Sequence, residues 1–238
     1  MNKRATQEVL TRKFGDVTGD GVTDEVYLVG TRVPDAEFIQ DITLMIRNGR
    51  TGMVTQVPLR DNAGYAPTIF LCDFTGDGVL DIKVTIQSGG SGGFNYIFIY
   101  SFVNSQLRLL FDADSYIESK RFRAFYADGF VIVVVDELLD LTFRIDVSTD
   151  PAATDLYDQD GKLLQPTEAN VGPLITAIPI VLDEDAGTCD LQALVRVYGQ
   201  FAADTVGYIQ DYLSWDVNTW RTVREDLAIG PSAPVDHQ

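Results

Sequence analysis

This chain is poor in the residues on which much catalysis and transition-metal chemistry rests. Its single histidine, His237, lies in a Pro-containing tail, so Ser-His-Asp, Cys-His and His-ligated metal mechanisms lack their central member. Cysteine is nearly as scarce. Cys72 and Cys189 are the only two, and neither a disulfide framework nor a Cys-based zinc site follows from their spacing. The simpler reading makes them small semi-buried core residues, with pairing left open. The longest purely apolar run, residues 130–135, is far too short to cross a bilayer as a helix. Residues 1–8 begin with charge but lack the following apolar run of about 7 to 15 residues that a secretory signal needs. The sequence therefore predicts a protein made in the cytoplasm, with no membrane insertion. Cations are also few: 18 Lys and Arg stand against 35 Asp and Glu, giving a formal charge of −17. Phosphate backbones and anionic lipid are repelled by such a surface, which argues against nucleic acid as a partner.

Convincing helical periodicity is missing too. Residues 202–212 come nearest, and they read better as strand. What is present is β-branched and aromatic residues in short runs, at 25–29, 39–46, 82–86, 94–102, 130–135 and 191–197. Between runs lie Asn48-Gly49, Asp128-Gly129 and Asp160-Gly161, dipeptides that close hairpins. Around Trp215 and Trp220, large apolar and polar residues alternate on either side of the turn Asp216-Val217-Asn218-Thr219, so a hairpin is expected there. The hydrophobic share of 45% is too high for a disordered chain.

One segment recurs. Asp16-Val17-Thr18-Gly19-Asp20-Gly21-Val22-Thr23-Asp24 reappears 57 residues later as Asp73-Phe74-Thr75-Gly76-Asp77-Gly78-Val79-Leu80-Asp81. Similar steps reach Asp128-Gly129, where the acids are gone, and then the run 183–190. A fixed period of this length signals a repeat architecture. The reading is all-β: a β-propeller-like array of about four four-stranded antiparallel units, approximately 8–60, 66–113, 117–165 and 174–228, in a single domain spanning 1–238. A small closed propeller and open stacked sheets are the alternatives, with residues 1–7 and 229–238 as flexible arms.

The repeated loop places side-chain oxygens at positions 1, 3, 5 and 9 and a carbonyl at position 7, with glycine at position 6 for the sharp turn. Candidate metal ligands are Asp16, Thr18, Asp20 and Asp24 with the Val22 carbonyl, and Asp73, Thr75, Asp77 and Asp81 with the Val79 carbonyl. Calcium fits this all-oxygen set better than magnesium or zinc. The positions of an EF-hand's bidentate glutamate are Tyr27 and Val84, so neither loop is an EF-hand. In the fourth unit Asp183, Asp185 and Asp190 form a weaker third candidate, since Gly187 replaces an acid.

On these loops the sequence resembles the FG-GAP and VCBS-type calcium repeats of integrin α-subunit propellers and bacterial surface proteins. Ser88-Gly89-Gly90-Ser91-Gly92-Gly93, and 203–208 leading to Trp215, are also similar to VCBS-repeat proteins associated with spore coats. The resemblance implies a calcium-stabilised, non-enzymatic protein of structure, assembly or adhesion, with a spore coat or cell surface as its destination. Implied partners are further copies or other surface proteins.

The glycine-rich stretch lacks the Lys-Ser/Thr ending of a phosphate-binding loop. Tyr212, Trp215 and Trp220 offer a platform for carbohydrate or a partner, although aromatic cross-strand pairs commonly just hold sheets together. The alternative function is a carbohydrate-active or other hydrolytic propeller using an acidic pair, for which Glu37, Glu118, Asp136 and Glu137 are candidates.

Overall fold

A computed structural model describes residues 6–32, 36–90 and 92–230. His237, Ser91 and most of the two expected arms lie outside the described residues. The strands form three antiparallel sheets. The first is a meander of β1 (Thr6–Gly15), β2 (Asp24–Arg32), β3 (Ile39–Arg47) and β4 (Val54–Pro58). The second repeats the plan with β5 (Tyr65–Cys72), β6 (Asp81–Gln87), β7 (Asn95–Ser101) and β8 (Arg108–Asp112). Each is a four-stranded antiparallel meander.

The third and fourth expected units do not stay separate. Strands β9 (Phe122–Ala127), β10 (Val131–Asp136) and β11 (Leu141–Asp146) join β12 (Glu168–Ile180), β13 (Asp190–Tyr198), β14 (Thr205–Asp216) and β15 (Thr219–Ala228). The result is one seven-stranded sheet of order β11-β10-β9-β12-β13-β14-β15. The seam is narrow, since β9 and β12 pair only through Glu168 with Phe125 and Ala169 with Ala124. The third unit supplies three strands, and a short helix, α1 (Ala113–Ser119), takes the place of a fourth. Asp112 caps α1, its carboxylate accepting the Ser115 N–H at 2.9 Å. Seven residues are too few to show helical periodicity in sequence, which is why α1 is not foreseen. Among the described residues no helix is long and apolar enough to cross a membrane.

Alternation dictates how the sheets stack. Val26, Leu28, Ile42, Leu44 and Ile46 of the first sheet pack on Ile82, Val84, Ile86 and Phe98 of the second. From the opposite face of the second sheet, Ile97 and Ile99 enter a separate core with Leu191, Ala193, Val195 and Ile209. The second sheet is therefore a middle layer whose central strands β6 and β7 are covered on both faces. Even Lys83 is buried there, its ammonium drawn down to about 8 by desolvation while it donates to Thr85 Oγ1 at 2.7 Å.

The connections between the first two strands of each meander line up across the layers. Leu80 N–H donates to the Asp16 carbonyl at 3.2 Å, and Cys189 N–H donates to the Asp73 carbonyl at 2.8 Å. Beside that second bond, Cys72 and Cys189 form a disulfide with Cα atoms 6.1 Å apart. The open pairing question is thus answered, and the middle sheet is tied covalently to the seven-stranded one. The C-terminal hairpin forms as read: Trp215 and Trp220 are directly paired, with ring centroids 5.4 Å apart. Asn48-Gly49 closes the β3–β4 turn, but Gly49 is required for a close approach. A Cβ there would lie 2.0 Å from the Thr23 carbonyl oxygen.

Because the disulfide spans 117 residues, its removal frees a large loop in the unfolded chain. Cys72→Ser with Cys189→Ser is expected to cost about 2 to 5 kcal/mol. Urea unfolding with and without reductant measures it, and coincident curves would contradict the expectation.

Candidate functional site: a carboxylate-lined cleft

The Asp-rich loops are held by hydrogen bonds to their own backbone. Asp16 Oδ1 accepts the Gly19 N–H at 2.7 Å and its Oδ2 accepts the Gly21 N–H at 2.7 Å. Asp73 does the same with Gly76 at 2.6 Å and Gly78 at 2.8 Å. Thr18 and Thr75 hydroxyls turn to Asp16 and Asp73, both at 3.4 Å. Asp20 and Asp77 each accept the N–H two residues on, from Val22 at 2.9 Å and Val79 at 3.0 Å. Asp20 also meets the Arg50 guanidinium at 3.2 Å.

The ninth position serves as an anchor. Asp24, Asp81 and Asp190 are the first residues of β2, β6 and β13, and each turns its carboxylate back onto its loop. Asp24 Oδ2 accepts from Val17 and Thr18, and Asp81 Oδ2 from Phe74 and Thr75. Asp190 Oδ2 accepts from Leu182 at 2.9 Å, while Asp183 accepts from Asp185 N–H at 3.0 Å. Among the described residues no group of three or more His, Cys, Asp or Glu side chains is disposed to hold a metal ion. The calcium-binding reading of the loops is corrected on that finding: a spacing of acids that suits a cation suits backbone N–H groups equally well.

The two intact loops differ in one respect. Asp24 Oδ1 accepts the Gly49 N–H at 2.9 Å, whereas buried Asp81 Oδ1 meets no donor among the described residues. Burial, helped by Asp77 and Asp73, pushes the Asp81 acid up to about 7.

A different cluster of acids lies in the seven-stranded sheet. A cleft of about 360 Å³ is walled by Phe111, Tyr116, Leu138, Leu139 and Trp220. Asp136, the last residue of β10, lines it, whereas Asp211 and Glu225, direct partners across β14 and β15, do not. Asp211 shares the inward face of β14 with Ile209 and Leu213, where burial alternates residue by residue. Its Oδ2 accepts from Tyr116 Oη at 2.7 Å, from Thr222 Oγ1 at 3.1 Å and from Lys120 Nζ. Lys120 also donates to Thr222 Oγ1 at 3.1 Å and lies 5.1 Å over the Tyr116 ring. Burial, then Asp211, holds the Tyr116 phenol well above its ordinary range.

Asp136 Oδ1 accepts the N–H groups of Leu138 at 2.7 Å and Leu139 at 3.1 Å. Its Oδ2, Asp211 Oδ1 and both Glu225 oxygens are buried without a donor among the described residues. Burial, then Asp136 and Asp211, push the Glu225 acid up to about 8, against the pull of Lys120.

Of the four acids weighed from sequence, Asp136 alone enters this cluster; Glu137 pairs with Arg123 at 3.4 Å outside it. Trp220 lines the cleft, its Nε1 donating to the Leu110 carbonyl at 3.0 Å. Trp215 packs on Trp220 beneath the Arg108 guanidinium, while Tyr212 projects from the other face of β14 toward Gln192 and Arg224. The three aromatics thus form no single platform. The signal in the sequence was Asp211, a charged residue in an inward register.

Residues 120–228 match the family model described as the YybI C-terminal domain. Over 227 residues the chain is 33% identical to the uncharacterized protein YybI of Bacillus subtilis (strain 168), covering 94% of this chain and 86% of that protein. The chain belongs to the YybI family. No solved structure matches it. The resemblance to FG-GAP and VCBS repeats is corrected accordingly, since the family match is to a different model. The matched segment contains Lys120, Asp136, Asp211 and Glu225, and excludes the loops at 16–24 and 73–81.

Two outcomes follow. Asp24→Asn puts an amide NH₂ against a backbone N–H and is expected to cost about 1 to 3 kcal/mol. Asp81→Asn removes a buried charge whose second oxygen lacks a donor, so its cost at about pH 8 is expected to be smaller. Urea midpoints compare them, and the reverse order would contradict this account. For Glu225, the unfolded acid titrates near 4.5 and the folded one near 8. The folded state binds the proton more tightly, so this contribution is fully present below 4.5 and is lost as pH rises through about 8. Glu225→Gln is expected to flatten the fall in stability across that window, as read by thermal unfolding at several pH values.

Proposed function

We propose that the protein is a non-enzymatic structural component that assembles with further copies, or with other surface proteins, through the edges of its sheets. The observation supporting this is the character of those edges. Large apolar side chains stand exposed on five of the six edge strands: Val9 and Phe14 on β1, Val54 on β4, Phe70 on β5, Leu109 on β8 and Val223 on β15. Open edges template pairing with another chain, and monomeric proteins ordinarily blunt them with charge, proline or short length. Exposed apolar side chains beside an open edge add contact area to such pairing. The disulfide supports an oxidising destination, such as a spore coat or cell surface layer.

The hydrolytic alternative has its own observation, the buried acids at and beside the cleft. The geometry weighs against it. Asp136 lines the cleft but Glu225 does not, whereas a glycosidase needs both its carboxyl groups facing the sugar. Assembly is the better-supported reading.

Sedimentation at rising concentration is expected to show self-association with a dissociation constant of about micromolar order. Leu109→Lys and Val223→Lys together should weaken it about tenfold, or about 1.4 kcal/mol. A wild-type chain that sediments as a monomer at about 100 times that concentration defeats the self-assembly reading.

A further inference from the structure

The C-terminal hairpin turns through Val217 and Asn218, between the paired residues Asp216 and Thr219. A turn this short favours glycine or asparagine where φ is positive, yet Val217 holds a φ of 57°. Among the described residues it is the only β-branched side chain at positive φ, a conformation that crowds Cβ against the backbone. Nothing is buried in return, since Val217 stands 81% exposed. Backbone strain of this kind gathers at sites that bind or switch.

This strained knob adjoins a recess. Asn218 and Thr219 line the cleft, and the turn between β10 and β11 supplies Leu138 and Leu139 to the same cleft. Both leucines are exposed. The two sides carry opposite charge. Exposed Arg108 and Arg221 flank the knob, Arg108 donating to Asn218 Oδ1 at 3.2 Å, whereas exposed Glu137 and Asp140 flank the leucines. Asp216 pairs with Arg221 and Arg123 with Glu137. With those two counted in, the knob stays net positive and the leucine turn net negative. Copies of a chain of charge −17 repel one another in general, so contact is favoured where opposite signs share one face. Because knob and recess adjoin, a two-fold axis can bring each copy's knob to the other's recess.

We propose that a second copy of this chain docks over the cleft, its Val217 seated on Leu138 and Leu139 and its Arg108 and Arg221 facing Glu137 and Asp140, with the same contacts made in return. This rests on the assembly reading and names where two copies meet, at the tips of the hairpins that carry edge strands β11 and β15.

Sedimentation of the full chain, with thermal unfolding of the dilute protein alongside, tests it. Val217→Gly is expected to raise the melting temperature by about 1 to 3 °C, strain relief outweighing the added freedom of the unfolded chain. The same change should weaken association about tenfold or more. A gain in stability together with a loss of association separates docking from misfolding. Arg221→Glu should weaken association as well, and adding Asp140→Lys should restore it to within about threefold of the wild type. Association that Val217→Gly leaves unchanged, or that the charge swap does not restore, overturns this docking face while the assembly reading stands. A wild-type chain that stays monomeric removes both.

Discussion

Ile82, Val84 and Ile86 on one face of the second sheet, and Ile97 and Ile99 on the other, bury its central strands from both sides. Each fully buried side chain of this kind contributes about 1.5 to 3 kcal/mol relative to exposure. The first sheet and the seven-stranded sheet are both positioned by this layer, since each packs its apolar face against it. The row of loops and the disulfide follow from the same stacking, because Asp16, Asp73 and Cys189 come into backbone contact where the layers meet.

Stacking so acidic a chain buries some of its carboxyl groups, and their answers differ. Asp24 finds a backbone donor for each oxygen. Asp81 finds donors for one, and its acid rises. Glu225 finds none and rises further, close to Asp136. Close packing also surrounds Asp204 at Gly199, where a Cβ would lie 1.9 Å from Asp204 Oδ2 and 2.5 Å from Tyr126 Oη. There burial, with Asp150 adding to it, pushes the Asp204 acid up to about 6. Two of these three raised acids, Asp204 and Glu225, lie in the segment that carries the family match and Asp81 lies before it, while Asp24 in the first loop has both oxygens answered.

The all-β class, the strands and the Trp215–Trp220 hairpin were legible because alternation and turn dipeptides are local signals. The loops were legible in position but not in purpose. Asp16 and Asp24 sit where ligands of a cation would sit, and the same oxygens serve Gly19, Gly21 and Val17 amides. The cleft was largely hidden. Asp211 and Glu225 meet only through strand register, and Asp136 reaches them only when the outer strands of the seven-stranded sheet approach one another. The merger of the third and fourth units hid for a similar reason, since two residue pairs between β9 and β12 leave no pattern in the sequence.

The bond between Cys72 and Cys189 also changes what the chain is as a mechanical object. Between those residues the backbone is a closed covalent ring, holding most of the middle sheet, the narrow seam and the start of the last meander. Tension applied at the two ends can peel away the first sheet or the C-terminal hairpin, but it passes across the sulfur bridge and bypasses everything inside the ring. The weakest pairing in the fold, at β9 and β12, is thus shielded from the load that would otherwise part it first.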